Sequence, residues 1–600
     1  MTRFPYRILP LKLTLLVCLL LSLLLSACAG TGSGDRLAGE EQGLVLRNGV
    51  IFTADDTYPQ AQAVGIRNGV IMAVGSEKDV LAAMGDNVRQ LDLKGGFLMP
   101  GMVDSHVHAG FAGFQHTTVS FPEDLKSADQ VLDFVRRQSR LERAWIEDVL
   151  LFMNVSLAYW EHLDIFNDAL NKGDFADIPV ILAGSDAHTG WCNQAMLRRA
   201  GLSEQRVAGL PAAVRDSFGK NADGTLNGFT SEGAWDEVLQ HAPAVSEKRM
   251  EDALLAAADI LHSYGITAWM DPIANIRPLA PIFNAAPDRR DTGLLPAYSR
   301  LTREDRLNAH VSALLLVKLD SEPSIIEDVL DVKQRFDGQP DLRILGIKLL
   351  QDGVIEYPSR TAKLSKDYIG LPGYDGPRNM DPERYGNMVA AADRAGLVVH
   401  SHAIGDRAVQ EALDGVEVAR KANGESGILH SMTHLQVVRP EDMARFRELS
   451  VGCSMQLLWA GKEISTTSLL EGSVPDPLLT RLYPAQSLID HGALVAGASD
   501  WPVSTPNPFL AMYVAVTRTG SMGILPPREE CLSRDEILRA YTINAAQLIG
   551  RGHEIGSITP GKKADFVLLD RNLQTIPSEA IPETRVLWTM FDGRIVYQEQ

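Results

Sequence analysis

Histidine, lysine and aspartate residues recur near the ends of apolar runs in this sequence, and such side chains bind divalent metals. The first run ends in His106 and His108, and residues two apart on a strand point to the same side. Two imidazoles at that spacing can chelate one zinc ion, with Zn–N distances of about 2.0–2.1 Å. A single histidine is typical of a hydrogen-bonded core residue, but the joint pattern predicts a metal site. Later runs carry Lys348, His400, His402, His434 and Asp500.

Lys348 stands inside the apolar run LRILGIKLL, where a charged ammonium group is costly. Two arrangements would remove that cost. Carboxylation of Nζ would convert the lysine into an anionic metal ligand, whereas a nearby Asp352 would provide a charge partner. The sequence leaves both interpretations open.

The elements that must position these residues alternate between apolar runs and helical patterns. Eight such strands with intervening helices predict an α/β protein built on a (β/α)₈ TIM barrel. Enzymes of this fold carry their chemistry at the C-terminal ends of the strands, which is where the candidate ligands fall. The predicted strands span residues 102–108, 265–271, 310–318, 342–350, 396–402, 427–434, 451–456 and 493–499.

The two ends of the chain have a different pattern, with short strands and turns. Residues 43–99 and 550–600 together predict a small β-sandwich, with Asn-Gly pairs at 48–49 and 68–69 as hairpin signals. Residues 100–549 then form the barrel, with an insertion at about 110–250 after its first strand.

The N-terminus is typical of a secretion signal. Arg3, Arg7 and Lys12 precede a short apolar run, and small residues follow it just before Cys28. This pattern resembles a bacterial lipobox, so we expect a signal peptide over 1–27, lipidation of Cys28 and a flexible tether over 28–42. The expected location is the bacterial cell envelope, at the outer membrane facing the periplasm if the source is Gram-negative.

Composition excludes several other classes of protein. The 57 basic and 76 acidic residues give a formal charge of −19, which opposes binding to nucleic acid. Five cysteines in 600 residues cannot form a disulfide scaffold. The expected partners are a small-molecule substrate and, through the lipid, a membrane; a homo-oligomer is also compatible with the sequence.

Several motifs carry a family resemblance. The segments PGMVDSHVH and SHAIGDRAV, the isolated His434 and the segment GASDWPV resemble the metal-dependent amidohydrolase superfamily. The segments SDAHTGWCNQAML, IKLLQDG and GSITPGKKADFVLLD resemble amidohydrolase family 3, the YtcJ-like group, and the resemblance extends over about residues 43–598. It implies a barrel, a β-sandwich and one or two divalent metals, usually zinc.

The resemblance also implies roles for individual residues. His106 and His108 would hold the first metal, and a carboxylated Lys348 would bridge to a second. His402 and His434 would hold that second metal, with His400 as the alternative to His402. Asp500 would bind metal and act as the general base in hydrolysis of a C–N bond in an amide, formamide or cyclic amide.

The insertion and one loop supply candidates for the substrate pocket. His188 is expected to contact the oxyanion or the leaving group; the alternative for its segment is a turn that caps a helix near Asn193. The candidate substrate-binding residues are Asp186, Trp191, Asn193, Glu232 and Arg360.

Two further functions remain compatible with the sequence. The same scaffold supports deamination or isomerisation, and a non-catalytic binding lipoprotein would retain the fold. Loss of a metal ligand would favour the binding protein, and no candidate ligand is missing here.

Overall fold

The computed structural model describes residues 43–600, apart from 187, 283–291, 337, 358 and 465. The predicted signal peptide, Cys28 and tether lie outside these residues. Within the described ranges, no helix has both the length and the apolar character needed to cross a membrane.

Strands and helices alternate along most of the described chain. The strands are β1 (Leu44–Phe52), β2 (Gln60–Arg67), β3 (Val70–Gly75), β4 (Arg89–Asp92), β5 (Phe97–Pro100), β6 (Met102–Asp104), β7 (Trp145–Ile146), β8 (Val149–Val155), β9 (Val180–Gly184), β10 (Thr189–Cys192), β11 (Phe218–Lys220), β12 (Leu226–Ser231), β13 (Ile266–Asp271), β14 (His310–Leu316), β15 (Leu342–Leu350), β16 (Val398–Ala403), β17 (His430–His434), β18 (Val451–Met455), β19 (Val495–Gly497), β20 (Thr519–Gly520), β21 (Gly523–Ile524), β22 (Phe566–Leu569), β23 (Val586–Phe591) and β24 (Arg594–Gln598). The α-helices are α1 (Glu77–Met84), α2 (Ala109–Thr117), α3 (Ala128–Gln138), α4 (Asp164–Leu170), α5 (Gln194–Arg199), α6 (Glu204–Ala208), α7 (Ala212–Arg215), α8 (Glu232–Leu239), α9 (Glu247–Ser263), α10 (Leu295–Arg303), α11 (Ile325–Phe336), α12 (Pro382–Arg394), α13 (Asp406–Asn423), α14 (Met443–Glu448), α15 (Asp476–Leu479), α16 (Ala485–Asp490), α17 (Pro508–Thr517), α18 (Arg534–Ala540) and α19 (Ile543–Leu548).

The barrel predicted from the sequence is confirmed. Among the described residues, eight parallel strands form one sheet in the order β6, β13, β14, β15, β16, β17, β18 and β19. Most of their side chains are buried, as expected for a parallel sheet covered on both faces. Two backbone hydrogen bonds connect the first strand, β6, with the last, β19, through the residues at their ends. Ser105 N donates to Gly497 O over 3.1 Å, and Asp500 N donates to His106 O over 2.9 Å.

The first barrel strand is shorter than predicted. It ends at Asp104, so His106 and His108 lie in the segment that follows the strand rather than on it. Their placement therefore depends on that segment. Asp104 Oδ1 accepts hydrogen bonds from the backbone N–H groups of His106 and Ser499, both over 3.1 Å, and so ties the ends of β6 and β19 together.

Helices outside the barrel begin at polar caps. Ser246 accepts a hydrogen bond from the Arg249 backbone N–H at the start of α9. At the start of α12, Asp381 accepts from the backbone N–H groups of Glu383 and Arg384, and Pro382 occupies the first turn. Caps of this kind satisfy N–H groups that have no partner within the helix.

The two ends of the chain share a second sheet. Hydrogen bonds connect β1–β5 with β22–β24 into one continuous sheet, in which β5 pairs antiparallel with β22 and Leu98 lies opposite Leu568. Asn68 and Gly69 form the predicted hairpin turn between β2 and β3, with φ values of 52° and 74°. Asn48 does not form a hairpin: it lies within β1, where the pairing register shifts as in a β-bulge.

An insertion separates the first two barrel strands. In this part of the described chain, β7–β12 form a six-stranded sheet with short helices around it. Aromatic side chains, among them Phe121, Phe152 and Phe166, fill a core between the sheet and those helices. The insertion is therefore a packed unit rather than an irregular loop.

His310 joins the barrel to the terminal sheet. Its buried imidazole lies at the start of β14, with Nδ1 2.7 Å from Asp341 Oδ1 and Nε2 2.8 Å from Asp565 Oδ2, just before β22. Carboxylates only accept, so both ring nitrogens donate and the ring is protonated. Burial opposes this charge, but Asp565 and Asp341 outweigh it and raise the pKa of His310.

Replacement of His310 by Gln should make the protein less stable in a pH-dependent way. Because the folded-state pKa is raised above about 6.5, the stabilisation is complete below that pH and disappears as pH rises through the raised value. Loss of the charge should cost about 3–5 kcal/mol at pH 6, since the buried carboxylate of Asp565 is then left without its charge partner. Thermal unfolding of both proteins between pH 5.5 and 9.5 measures this.

The matched control is His262→Gln. His262 is also buried, but its Nε2 faces the Asn308 carbonyl over 3.0 Å, and burial lowers the pKa of His262 to about 4. Its effect on stability should therefore change only as the unfolded chain titrates near pH 6.5, and it should stay constant above about pH 7.5, where the effect of His310→Gln still changes. A His310→Gln effect that is equally constant would contradict the charged bridge.

Candidate metal centre

His106, His108 and Asp500 meet at the C-terminal face of the barrel. Asp500 Oδ1 lies 3.3 Å from His106 Nε2 and 3.2 Å from His108 Nε2. One ligand atom from each residue lies within 4.8 Å of the others, as a shared metal requires. The histidines follow β6 and the aspartate follows β19, so the closure of the barrel brings them together.

Backbone conformation helps to place two of the candidate ligands. Asp500 has φ 57° and His434 has φ 78°, both in the left-handed region that non-glycine residues rarely adopt. Such conformations persist where the surrounding structure imposes them, and they cluster at functional sites. Here they occur where the chain leaves two barrel strands.

Buried polar atoms at this centre lack partners. Asp500 Oδ1 and His108 Nδ1 are buried, and neither makes a hydrogen bond within the described part of the chain. A buried carboxylate oxygen without a donor costs free energy that a bound cation would recover. Two imidazoles and a carboxylate are also a typical zinc donor set, so these residues fit a divalent metal.

Hydrogen bonds fix which nitrogen His402 and His434 can offer. His402 Nε2 donates to the Gly353 carbonyl over 3.0 Å, which leaves Nδ1 unprotonated, and His434 Nδ1 donates to Gln456 Oε1 over 3.0 Å, which leaves Nε2. The centroids of the two imidazole rings are 4.4 Å apart, and the ring of His434 stacks on Trp459. Burial lowers the pKa of His402 to about 4 and holds the pKa of His434 well below its usual range, so both rings are neutral, as ligands must be.

Lys348 is buried on β15 beside these histidines. It lies opposite His400 in the sheet register and is almost completely buried. Burial lowers the pKa of Lys348 to about 7, although the charge of Asp500 acts in the opposite direction. A substantial fraction of the amine is therefore neutral near pH 7, which is the form that reacts with carbon dioxide.

Asp352 is not the charge partner that the sequence allowed for Lys348. Its Oδ1 accepts from Ile404 N over 3.0 Å, and its Oδ2 accepts from Gly405 N over 2.8 Å and from Lys363 N over 3.0 Å. The carboxylate thus holds two loops together at the mouth of the barrel.

His188 and Glu232 form an ion pair in the insertion. His188 Nδ1 lies 3.1 Å from Glu232 Oε1, and each side chain is about half exposed. Burial of the ring opposes its charge, but Glu232 outweighs that and raises the pKa of His188. His188 is near enough to the barrel centre for its charge to lower the pKa of His402. Asp186 Oδ1 shapes this turn by accepting from the backbone N–H groups of His188 and Thr189.

Trp191 and Asn193 lie inside the insertion rather than at its surface. Asn193 caps α5 by accepting from Met196 N over 3.0 Å, and its Nδ2 donates to three backbone carbonyls. Trp191 is fully buried, packs on Phe166 and donates to the Asn227 carbonyl. Their burial favours helix capping and core packing over the expected contact with substrate.

Arg360 lies in the loop after β15. Its backbone φ is 49°, its guanidinium is 5.2 Å from the ring of Tyr357, and its buried Nε has no hydrogen-bond partner within the described part of the chain. The neighbouring Thr361 accepts from Gly353 N over 3.0 Å through its carbonyl, and Gly353 in turn contacts His402. Backbone hydrogen bonds thus connect the loop of Arg360 to His402, whereas its guanidinium contacts Tyr357.

Gln456 and Trp459 were not among the predicted site residues. Gln456 orients His434, and its Nε2 also donates to Thr433 Oγ1 over 3.2 Å. Both residues follow the seventh barrel strand, β18, and that position at a strand end was the signal in the sequence.

Known proteins are similar in sequence to this chain over almost its whole length. Residues 89–597 match the amidohydrolase family. Protein LONG AFTER FAR-RED 3 of Arabidopsis thaliana is 28% identical and covers 93% of this chain and 92% of its own. Putative amidohydrolase YtcJ of Bacillus subtilis and N-substituted formamide deformylase of Arthrobacter pascens are each 25% identical; both cover 92% of this chain, and 99% and 98% of their own.

A solved structure shows the same fold. An uncharacterised metal-dependent hydrolase from Pyrococcus horikoshii OT3 superposes with a TM-score of 0.70 at 23% identity, covering 90% of this chain and 99% of that chain. A barrel with histidine and aspartate clustered at the ends of its strands defines a candidate metal-dependent enzyme. The chain belongs to the amidohydrolase family, as its motifs predicted, and its enzymatic class is hydrolysis of C–N bonds.

Proposed function

We propose that this enzyme is a zinc-dependent hydrolase that cleaves the C–N bond of a small amide, formamide or cyclic amide. The position of Asp500 Oδ1 supports this most directly, since it is buried without a hydrogen bond and lies 3.2–3.3 Å from Nε2 of both His106 and His108. The formamide deformylase of Arthrobacter pascens makes N-substituted formamides the first substrates to test.

Two sets of residues would hold the metal. His106, His108 and Asp500 form the first set; a second ion would be held by His402 through Nδ1, by His434 through Nε2, and by a carboxylated Lys348 shared with the first. When bound, such ions lower the pKa of a water molecule and polarise the substrate oxygen.

Asp500 is the proposed general base. Burial alone would raise the pKa of Asp500, but His108, His434 and Lys348 lower it, so the carboxylate is ionised at neutral pH. It accepts the proton of the attacking water and delivers it to the departing nitrogen. His188, paired with Glu232, would contact the oxyanion or the leaving group, and Arg360 would bind a polar group of the substrate.

We also propose that the mature enzyme is attached to the bacterial envelope by lipid on Cys28. The lipobox-like sequence and the Gly-rich segment after it support this location. The segment would leave the barrel free to meet small substrates away from the bilayer.

Zinc content and an activity screen test the proposed function. Purified residues 29–600 should hold about one to two zinc ions per chain and hydrolyse at least one compound among N-formyl, N-acyl and cyclic amides. Chelation should remove the activity and zinc should restore it. A His106→Ala, His108→Ala double variant is the matched control, and a folded wild-type chain that binds no zinc would refute the proposal.

A further inference from the structure

A chain of three buried side chains runs inward from His106. His106 Nδ1 lies 2.7 Å from His400 Nε2, and His400 Nδ1 lies 2.7 Å from Ser431 Oγ. All three residues are almost completely buried, and His400 and Ser431 are direct neighbours on β16 and β17. Both ring nitrogens of His400 are therefore occupied by protein partners.

His402, two residues further along β16, differs in this respect. Its Nε2 bonds to the Gly353 carbonyl, and its Nδ1 stays available. His400 could bind a metal only by giving up one of its two short hydrogen bonds. The geometry thus separates the two histidines that the sequence left as alternatives.

We infer that His400 is a positioning residue that sets the tautomer of His106, an inference that rests on the proposed metal-dependent function. For His106 Nε2 to present its lone pair to a metal, the proton must reside on Nδ1 and be donated to His400 Nε2. His400 then carries its own proton on Nδ1 and donates it to Ser431 Oγ. One direction of hydrogen bonding along the chain therefore prepares His106 as a ligand.

Without metal, the hydrogen bonds that connect His106, His400 and Ser431 can also run in the opposite direction. Ser431 then donates to His400 Nδ1, His400 Nε2 donates to His106 Nδ1, and the His106 proton on Nε2 points at Asp500, 3.3 Å away. Zinc binding selects the first direction. Partners that orient metal-binding histidines in this way contribute about 10–100-fold to metal affinity.

Zinc affinity of the full mature chain, measured by competition with a chromophoric chelator, tests the inference. His400→Leu should weaken zinc binding about 10–100-fold, whereas His400→Gln, whose Oε1 can accept from His106 Nδ1, should recover most of it. Ser431→Ala should weaken binding by a smaller factor. The control is His430→Leu. His430 is the neighbour of Ser431 on β17, but its side chain bonds to Asp393 outside the centre.

Nitrogen-15 spectra of histidine-labelled protein loaded with cadmium-113 provide a second readout. Scalar coupling to cadmium is expected at His106 and absent at His400. Coupling at His400, or unchanged zinc affinity in folded His400→Leu, would overturn the inference while leaving the proposed function intact. If His400→Leu does not fold, wild-type affinity in Ser431→Ala overturns it instead. Wild-type protein without zinc binding would overturn both proposals.

Discussion

Asparagine in place of Asp500 should lower kcat/KM by about a thousandfold or more while the protein stays folded and retains metal. The substitution keeps the size of the side chain but removes the charge that accepts the proton of water, and loss of a general base costs about 10²–10⁴-fold. The Asn side chain keeps a neutral oxygen between His106 and His108, so the metal should bind more weakly but still fill the site at excess zinc. Steady-state kinetics and metal analysis on the same preparation measure both effects.

The matched control for Asp500→Asn is Asp393→Asn. Asp393 is also a buried carboxylate, but it pairs with Arg420 and His430 away from the centre. Its variant should lose stability and keep its activity per folded molecule. Equal losses of activity in the two variants, or full activity in Asp500→Asn, would remove Asp500 as the base.

Methionine in place of Lys348 should remove the second metal ion, where the wild type holds two, and lower kcat by about a hundredfold or more, because the ligand proposed to be shared by the two metals is lost. Carboxylation joins the neutral amine to carbon dioxide and releases a proton, so the product is an anionic carbamate. Because burial lowers the pKa of Lys348 to about 7, reconstitution of apoenzyme with zinc and bicarbonate should become more effective as pH rises from 6 to 8.

Lys318→Met is the control for loss of a buried lysine. Lys318 donates to the carbonyls of Pro281 and Ile282 and does not belong to the proposed ligand set. Its metal content should equal that of the wild type. Bicarbonate-independent reconstitution of wild-type enzyme with two zinc ions would argue against a carbamate at Lys348.

The sequence predicted the barrel well because its strands are buried on both faces. The run LRILGIKLL is apolar apart from Arg343 and Lys348, and its predicted bounds agree with β15. The order of parallel strands also places the first beside the last, which brings His106 and Asp500 together although almost 400 residues separate them. The fold and the proximity of His106, His108 and Asp500 thus follow from local patterns and one rule of topology.

Contacts between side chains were harder to predict. A spacing of two residues on a strand makes His400 and His402 equivalent, and only the position of Ser431 and Gly353 distinguishes them. The burial of Trp191 was equally hard to predict, because the motif around it does not reveal which face of the β7–β12 sheet faces solvent. Likewise, the bulge at Asn48 and the hairpin at Asn68 share the same Asn-Gly pair.

The pairing of β5 with β22 has a consequence for synthesis of the protein. Roughly 470 residues separate these partners, so at about 5–20 residues per second the N-terminal strands wait about 20 to 90 seconds for their neighbour. Until then the apolar edge of β5, Phe97–Pro100, is unpaired and can bind other chains. A nascent chain therefore stays vulnerable to aggregation until its last strands emerge, and loss of the C-terminal strands would make that state permanent.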